Sequence, residues 1–261
     1  VELALELIAR SAILIEGFRP GVMEKLGLGP EVCEALNPKL IYGRLTGWGQ
    51  TGPLAQSAGH DPNFVALTGA MQAGARRDQK PSAPLTLVGD VGGGTMMLLW
   101  GIMCALWQAQ SSGKGQVVDA AITDGSVYAS SLLWMIHNSS HATDQVGVSW
   151  TDGAAPWNDT YVCSDGHYIN ICALEPKFYR LLLDRLGLSQ KDCFEHQWQE
   201  QSWPQARVVL TQKFASETRQ YWCDLLEGSD ACFAPVLNFT EATQHPHHKA
   251  RKAFIELDGV T

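Results

Sequence analysis

Short apolar runs alternate with segments of helical periodicity through the first half of the chain, and this alternation limits the folds that are open to it. Strands separated by helices favour a parallel, doubly wound sheet with helices on its faces. The predicted strands are residues 13–15, 40–45 and 117–122, and the predicted helices are residues 30–36, 62–71, 95–110 and 125–137. We therefore predict an α/β fold with a Rossmann-like parallel sheet in its larger domain.

The pattern changes in the second half, which indicates a smaller domain. Two strand-like runs at 160–163 and 168–172 flank Asp165-Gly166, a pair that favours a hairpin turn. Residues 1–9 begin as an amphipathic helix already under way, so we expect the natural protein to extend upstream with the first part of the larger domain. The predicted divisions are a larger α/β domain at 1–137, a linker at 138–159, a smaller α+β domain at 160–230 and a segment at 231–261 that returns toward the larger domain.

The charge balance and the cysteines exclude some classes of partner. The formal net charge is −8, whereas binding to nucleic-acid phosphates requires a basic face, so no nucleic-acid partner is expected. The longest uncharged apolar stretch, residues 91–107, is short for a bilayer span, and we predict a buried helix and no membrane contact. The seven cysteines form no CxxC pair, which favours reduced thiols. No metal site is predicted, since His245, His247 and His248 have no Cys or carboxylate partner at ligand spacing.

Two short segments place an ionisable side chain beside a predicted helix start. In the first, His60 precedes Asp61, a good N-cap residue, and Pro62, which suits the first helical position. In the second, Asp90 precedes the run 92–94, which is all glycine. Helix starts offer unpaired N–H groups and a partial positive charge. A histidine and a carboxylate held there suit proton abstraction next to a carbonyl, with the N–H groups of Gly92, Gly93 and Gly94 stabilising the enolate oxygen.

Each of these residues also has a structural interpretation. His60 and Asp90 would serve equally as helix-entry residues bonded to the backbone, Asp61 as a cap, and the glycines as the place where another helix packs closely. The charge of Glu175 is favourable at a predicted helix start in any case. The glycines spell neither GxGxxG nor a Walker loop, so no dinucleotide or nucleoside triphosphate site is supported. Arg19 follows a strand on a tight turn and is placed to meet an anion.

The His60 and Asp90 segments belong to a wider set of recognisable stretches. These stretches are residues 15–30, 40–53, 58–61, 89–94, 113–119, 174–179 and 230–236. Together they resemble the family III CoA-transferases and, within that family, the α-methylacyl-CoA racemases. The resemblance runs through nearly the whole chain.

This resemblance implies both a site and an assembly. It implies that His60 and Asp90 transfer protons and that Glu175 hydrogen-bonds and orients His60. It implies no metal or redox cofactor, and an interlinked homodimer in which the larger domain of one subunit and the smaller domain of the other form the active site. The residues that it assigns to the acyl-CoA site are Gly17, Phe18, Arg19, Lys25, Gly59, Asp61, Pro62, Asn63 and Phe64.

The function predicted on this basis is a racemase that interconverts (R)- and (S)-2-methylacyl-CoA thioesters through an enolate. The first alternative is a CoA-transferase in which Asp90 attacks as a nucleophile and forms a mixed anhydride. Transferases of this family commonly have another residue, often Gln, at the position of His60, and some have a four-glycine run that residues 152–157 lack. The second alternative is an inactive CoA-binding fragment. The acyl chain stays open, and the expected compartment is the cytoplasm in a bacterium or the peroxisome or mitochondrion in a eukaryote.

Overall fold

The chain folds as two units, Val1–Val146 and Gly147–Thr261, in a computed structural model that describes residues 1–139 and 143–258. The division falls inside the stretch that the sequence indicates as a linker. The described part of the first unit contains a parallel three-stranded sheet, and that of the second contains an antiparallel one.

The sheet of the first unit has the order β1-β2-β3, which confirms the predicted α/β class. Its strands are β1 (Ile13–Glu16), β2 (Ile41–Thr46) and β3 (Gln116–Ala121). The helices of this unit are α1 (Glu2–Ile8), α2 (Val22–Lys25), α3 (Pro30–Leu36), α4 (Asp61–Ala66), α5 (Ala70–Ala73), a π-helix (Leu87–Thr95), α6 (Met96–Ser112), α7 (Ile122–Ala129) and α8 (Ser131–His137). Since β2 is the central strand, nearly all of its residues are buried.

Helices cover both faces of this sheet. Side chains alternate between the faces along a strand, so β2 contributes to two separate apolar clusters. The cluster beneath α6 consists of Ile41, Leu98, Ile102, Ala105 and Ala120. The cluster on the other face consists of Ile8, Met23, Cys33, Leu40 and Tyr42.

Two helices that the sequence predicts as continuous are interrupted. Residues 62–71 fall in α4 and α5, with Gly69 at a φ of 80° between them. Residues 125–137 fall in α7 and α8, which meet at Ser130. The hydroxyls of Ser126 and Ser130 each donate to the carbonyl four residues earlier, at 2.8 Å. Such back-bonding bends helices, and it gives a physical reason for the break.

The prediction that residues 91–107 form a buried helix is wrong for one face of α6. Leu98, Ile102 and Ala105 are buried against the sheet, but the opposite face is apolar and exposed. The exposed side chains are Met96, Leu99, Trp100, Met103 and Trp107, the last 77% exposed. The helical stretch Leu87–Ser112 has the length and composition of a membrane span, although a single helix of this kind is weak grounds for one. Among the residues that the structure describes in this unit, none covers the exposed apolar face of α6.

The second unit is built on an antiparallel sheet with the order β4-β5-β6. The predicted hairpin is present, with Gly166 at a φ of 78° in its turn. Its strands are β4 (Asn158–Val162), β5 (Tyr168–Cys172) and β6 (Phe233–Val236). Its helices are α9 (Pro176–Leu186), α10 (Trp203–Phe214), α11 (Arg219–Leu226), α12 (Phe239–Gln244) and α13 (Pro246–Arg251), with short 3₁₀ turns at Asp192–Phe194 and Glu200–Ser202. Strand β6 lies within residues 231–261, which the sequence predicts to return toward the larger domain. In the structure the residues of this strand belong to the sheet of the second unit.

Aromatic packing dominates the core of the second unit. Phe214 is fully buried, and its ring centroid lies 5.1 Å from that of Tyr161 and 5.2 Å from that of Trp222. The indole N–H of Trp222 donates to the carbonyl of Phe214 at 2.9 Å, so its polar atom is satisfied inside the core.

Phe214→Ala should therefore lower the free energy of unfolding by roughly 3–5 kcal/mol, because the lost contacts leave a cavity among fixed rings. Urea denaturation measures this loss. Phe239→Ala is the matched control: Phe239 is 95% exposed, and its loss should stay within about 0.5 kcal/mol. Similar losses in the two variants would contradict the burial assigned to Phe214.

Candidate active site around His60 and Asp90

His60 stands immediately before α4. It is the N-cap residue, in an extended conformation, and its N–H donates to Oδ1 of Asn63 at 3.1 Å. Its side chain is exposed, and so are those of Pro62 and Asn63. The imidazole therefore lies at the N-terminus of α4 and is accessible to a reactant.

The sequence predicts Asp61 as the cap of α4. In the structure Asp61 is instead the first residue of the helix. Its side chain is 4% exposed and turns toward the π-helix, where its Oδ1 accepts the N–H of Asp90 at 2.8 Å. Phe64 is also buried, with its ring edge-to-face against Trp48 at 4.8 Å. Two of the acyl-CoA contacts predicted in this segment, Asp61 and Phe64, thus have buried side chains.

Asp90 lies within the π-helix, whereas the sequence predicts it before a helix start. Residues Leu87–Thr95 form this π-helix, which continues directly into α6. The N–H of Val91 donates to the carbonyl of Thr86, five residues earlier, at 2.8 Å, which is the spacing of a π-helix. The prediction that Gly92, Gly93 and Gly94 offer unpaired N–H groups at a helix start is therefore wrong, because the helix begins at Leu87.

The three glycines serve close packing against α7. A Cβ atom at Gly93 would lie 2.4 Å from Oγ of Ser126, and one at Gly94 would lie 2.8 Å from Cγ1 of Ile122. On the facing helix, a Cβ at Gly125 would lie 1.8 Å from the carbonyl oxygen of Gly93. Of the two explanations for a glycine run, the approach of another helix is the one that this packing supports.

The electrostatic surroundings of Asp90 favour its protonated form. Burial raises the pKa of Asp90 above its ordinary value, the carboxylate of Asp61 raises it further, and His60 lowers it. A carboxyl group with a raised pKa is a better proton donor near neutral pH than an exposed one. His60 directly precedes Asp61, which accepts the N–H of Asp90, so the two residues predicted to transfer protons lie in the same part of the first unit.

A buried ion network supports the loop that was predicted to contact the coenzyme. The carboxylate of Glu16 accepts the N–H of Phe18 at 2.8 Å and Nε of Arg44 at 2.7 Å. The guanidinium of Arg44 also donates to both oxygens of Glu24, at 2.9 and 3.3 Å. These bonds join β1, β2 and α2. The predicted coenzyme contacts beside them, Gly17, Phe18, Arg19 and Lys25, are all exposed.

Sequence reasoning missed this network, although one signal was present. Glu16 ends β1, and Arg44 is its partner in the register of β2. Opposite charges that face each other in register on two adjacent parallel strands predict a pair once the strand order is known. The order itself cannot be read from these residues.

Glu175 belongs to the second unit. It is the N-cap residue of α9, and its carbonyl oxygen accepts the N–H groups of Phe178 and Tyr179 at 3.0 Å each. Its side chain is exposed. The bond to His60 that the sequence analysis assigns to it stays a prediction.

Both ring nitrogens of His245, near the C-terminal end, have hydrogen-bond partners within the second unit. Nε2 of His245 lies 2.8 Å from Oε1 of Glu227, and His247 donates its N–H to Nδ1 of His245. Across residues 1–139 and 143–258, no three His, Cys, Asp or Glu side chains are grouped so as to hold a metal ion.

Comparison with known proteins places this site in a family. The family model of CoA-transferase family III matches residues 1–261. The chain is 43% identical over 249 residues to Alpha-methylacyl-CoA racemase of Homo sapiens, covering 95% of this chain and 65% of the racemase. It is 29% identical over 262 residues to Acetyl-CoA:oxalate CoA-transferase of Acetobacter aceti, covering 98% of this chain and 66% of that protein.

A solved structure agrees with the fold. The crystal structure of a CaiB/BaiF family protein from Brucella suis matches with a TM-score of 0.78 at 25% identity, covering 99% of this chain and 69% of that one. The α/β fold and the match along the whole chain together define the class. This chain belongs to CoA-transferase family III. It spans 65% of the length of the human racemase that it resembles.

The ion network makes a stability prediction. Arg44→Met should lower the free energy of unfolding by roughly 3–5 kcal/mol, because Glu16 would be left buried without its counter-charge. In Glu24→Gln, the control, the altered side chain is 43% exposed, so the loss should not exceed about 1 kcal/mol. Urea denaturation at neutral pH measures both, and equal losses would contradict the assignment of Glu16 and Arg44 as the buried pair.

Proposed function

We propose that this chain is part of an enzyme that racemises 2-methylacyl-CoA thioesters by moving the proton on C2 through an enolate. The observation that carries the proposal is the placement of His60, an exposed residue, directly before Asp61, whose carboxylate accepts the N–H of Asp90. Burial raises the pKa of Asp90. The 43% identity to a racemase supports it. The family also contains CoA-transferases, which is why the reaction must be tested.

The proposed mechanism uses one proton carrier on each face of the substrate. The thioester makes its α-proton acidic, because the enolate that forms delocalises charge onto oxygen. Neutral His60 takes this proton from one enantiomer, and protonated Asp90 delivers a proton to the opposite face. For the other enantiomer the two residues exchange roles. A histidine side chain in general titrates near neutral pH, which suits a group that takes up and gives back a proton. Burial raises the pKa of Asp90, which favours the protonated form that this step requires.

The other predicted residues have supporting roles in this proposal. We propose that Glu175 accepts a hydrogen bond from His60, which would fix its tautomer and favour the imidazolium that forms. Arg19 and Lys25 present positive charge beside the Glu16 network, where phosphate groups of the coenzyme would meet them. No metal or redox cofactor has a step in this scheme. The enolate role predicted for the glycine run is not carried forward, because those N–H groups belong to the helix.

Exchange of the α-hydrogen tests the reaction. In deuterated water, with a 2-methylacyl-CoA and no carboxylate acceptor, the protein should invert the substrate and incorporate deuterium at C2. His60→Ala and Asp90→Asn should each lower this rate by roughly 10²–10⁴-fold, because each removes one general acid–base group. His196→Ala and Asp124→Asn change exposed residues of the same types and should leave the rate unchanged.

The other outcomes identify the rival functions. A transferase would show no exchange until a carboxylic acid acceptor is added, and hydroxylamine would trap an anhydride at Asp90. Coenzyme binding without exchange or transfer would indicate a binding protein. Exchange that survives the loss of either His60 or Asp90 would refute the roles given to them.

We further propose that a second copy of the protein covers the exposed face of α6, in a homodimer. Contiguous patches of large, exposed apolar side chains mark interaction sites, and Trp and Met are enriched in the cores of interfaces. Trp100 and Trp107 lie on this face at 61% and 77% exposure. A homodimer would remove them from water.

Light scattering tests this assembly. The protein should have twice the mass of one chain, and the double variant Trp100→Glu/Trp107→Glu should be a folded monomer at the same micromolar concentration. Phe239→Glu, which changes an even more exposed aromatic residue of the second unit, should leave the dimer intact. A monomeric protein, or one that binds lipid vesicles through α6, would contradict the proposal.

A further inference from the structure

We propose that the carboxylate of Asp61 is a positioning group for Asp90, which holds the backbone of Asp90 in place and presents a fixed negative charge to its carboxyl group. This inference rests on the proposed role of Asp90 in proton transfer. It gives Asp61 a task different from the coenzyme contact that the sequence predicts.

The first step is the long-range bond between the two segments. Oδ1 of Asp61 accepts the N–H of Asp90 at 2.8 Å across 29 residues of sequence. Asp61 begins α4, and Asp90 lies in the first turn of the π-helix. A carboxylate that accepts a backbone N–H makes a charge-assisted bond, which is stronger than a bond between neutral groups. This bond ties the helix that begins after His60 to the helix that carries Asp90.

The second step is the close fit of Asp61 against Gly89. A Cβ atom at Gly89 would lie 2.1 Å from Oδ1 of Asp61 and 3.0 Å from Cγ2 of Val65. The carboxylate therefore packs directly on the bare backbone that precedes Asp90. Because Asp61 is 4% exposed, its side chain has little room to move elsewhere. The glycine and the aspartate together define one position for the start of the π-helix.

The third step concerns the other carboxylate oxygen. Oδ2 of Asp61 is buried, and the described residues offer it no hydrogen-bond partner. A buried carboxylate oxygen without a partner costs free energy. A neutral amide or hydroxyl would supply the bond to Asp90 without a buried charge. The negative charge of Asp61, rather than its hydrogen bond, is therefore the feature that requires a functional explanation.

The fourth step identifies what the charge acts on. The elements packed against the π-helix are α4, α6, α7, β2 and β3. Their charged side chains are Asp61 on α4, directly after His60, Asp124 on α7, Arg44 on β2 and Asp119 on β3. Their other titratable side chains are Tyr42 on β2, Tyr128 on α7 and Cys104 on α6. Besides burial, Asp61 and His60 are the groups that shift the pKa of Asp90, upward and downward respectively. Asp61 and burial thus both favour the protonated form of Asp90.

Two substitutions separate the bond from the charge. Asp61→Asn keeps an oxygen that accepts the N–H of Asp90 and removes the charge, whereas Asp61→Ala removes both. Asp124→Asn is the matched control, since it removes an exposed carboxylate from another helix packed on the π-helix. The readouts are the ¹³C NMR titration of the Asp90 carboxyl, assigned with Asp90→Asn, and the pH dependence of α-hydrogen exchange.

Asp61→Asn should lower the pKa of Asp90 and move the limb of the pH–rate profile that Asp90 governs to lower pH, with kcat near that of the original protein. Asp61→Ala should show the same shift, and in addition lose roughly 10²-fold in kcat because the carboxyl group is misplaced. KM should change little in both variants. Asp124→Asn should leave the titration and the rate in place.

Several results would overturn the inference. An unchanged titration of Asp90 in Asp61→Asn would remove the role of the charge, and full kcat in Asp61→Ala would remove the role of the bond. A rise in KM with unchanged kcat would assign Asp61 to coenzyme binding instead. If the protein shows no exchange at all, the proposed function fails, but the NMR titration still decides what Asp61 does to Asp90. If Asp61→Ala does not fold, the titration of the isosteric Asp61→Asn still tests the charge.

Discussion

The first unit depends on a backbone-to-backbone contact between the π-helix and α7. A Cβ atom at Gly125 would lie 1.8 Å from the carbonyl oxygen of Gly93, so a side chain at either place would push the helices apart. Oγ of Ser126 on α7 also lies 3.2 Å from the carbonyl oxygen of Val88 on the π-helix, although its shorter bond is the one to Ile122. Asp90 belongs to the same π-helix, and its position is therefore set by rigid backbone on one side and by Asp61 on the other.

This arrangement gives two adjacent residues at the start of α4 opposite environments. His60 is exposed and Asp61 is buried, although they are neighbours in the chain. The exposed imidazole is available to a substrate, while the buried carboxylate acts inward on Asp90. The raised pKa of Asp90 has a thermodynamic consequence, because a carboxyl group with a higher pKa in the folded state costs folding free energy once it ionises. The free energy of unfolding at neutral pH is therefore lower than it would be if Asp90 had its ordinary pKa. Such a loss of stability is expected for a functional carboxyl group with a raised pKa.

A second anchor fixes the loop after β1. The guanidinium of Arg44 is shared between Glu16 and Glu24, and Glu16 in turn holds the N–H of Phe18. A planar group with five donors suits this task, since lysine could not bond to both carboxylates in fixed directions. The chain carries a formal net charge of −8, and yet this loop presents Arg19 outward from an internally balanced cluster. Local arrangement rather than overall charge decides where an anion can bind.

The sequence by itself determined the elements whose signals are local. The parallel strands, α3 and the hairpin around Gly166 follow from apolar periodicity and turn chemistry, and the structure has them within a few residues of the predicted bounds. The recognisable stretches led to the family, and they picked out His60 and Asp90 as the pair to consider. Only the tertiary structure decided that Asp90 lies inside a π-helix, that Asp61 faces it, and that one side of α6 is exposed. These features depend on which backbone approaches which, and a pattern read along one chain does not contain the distance between two segments.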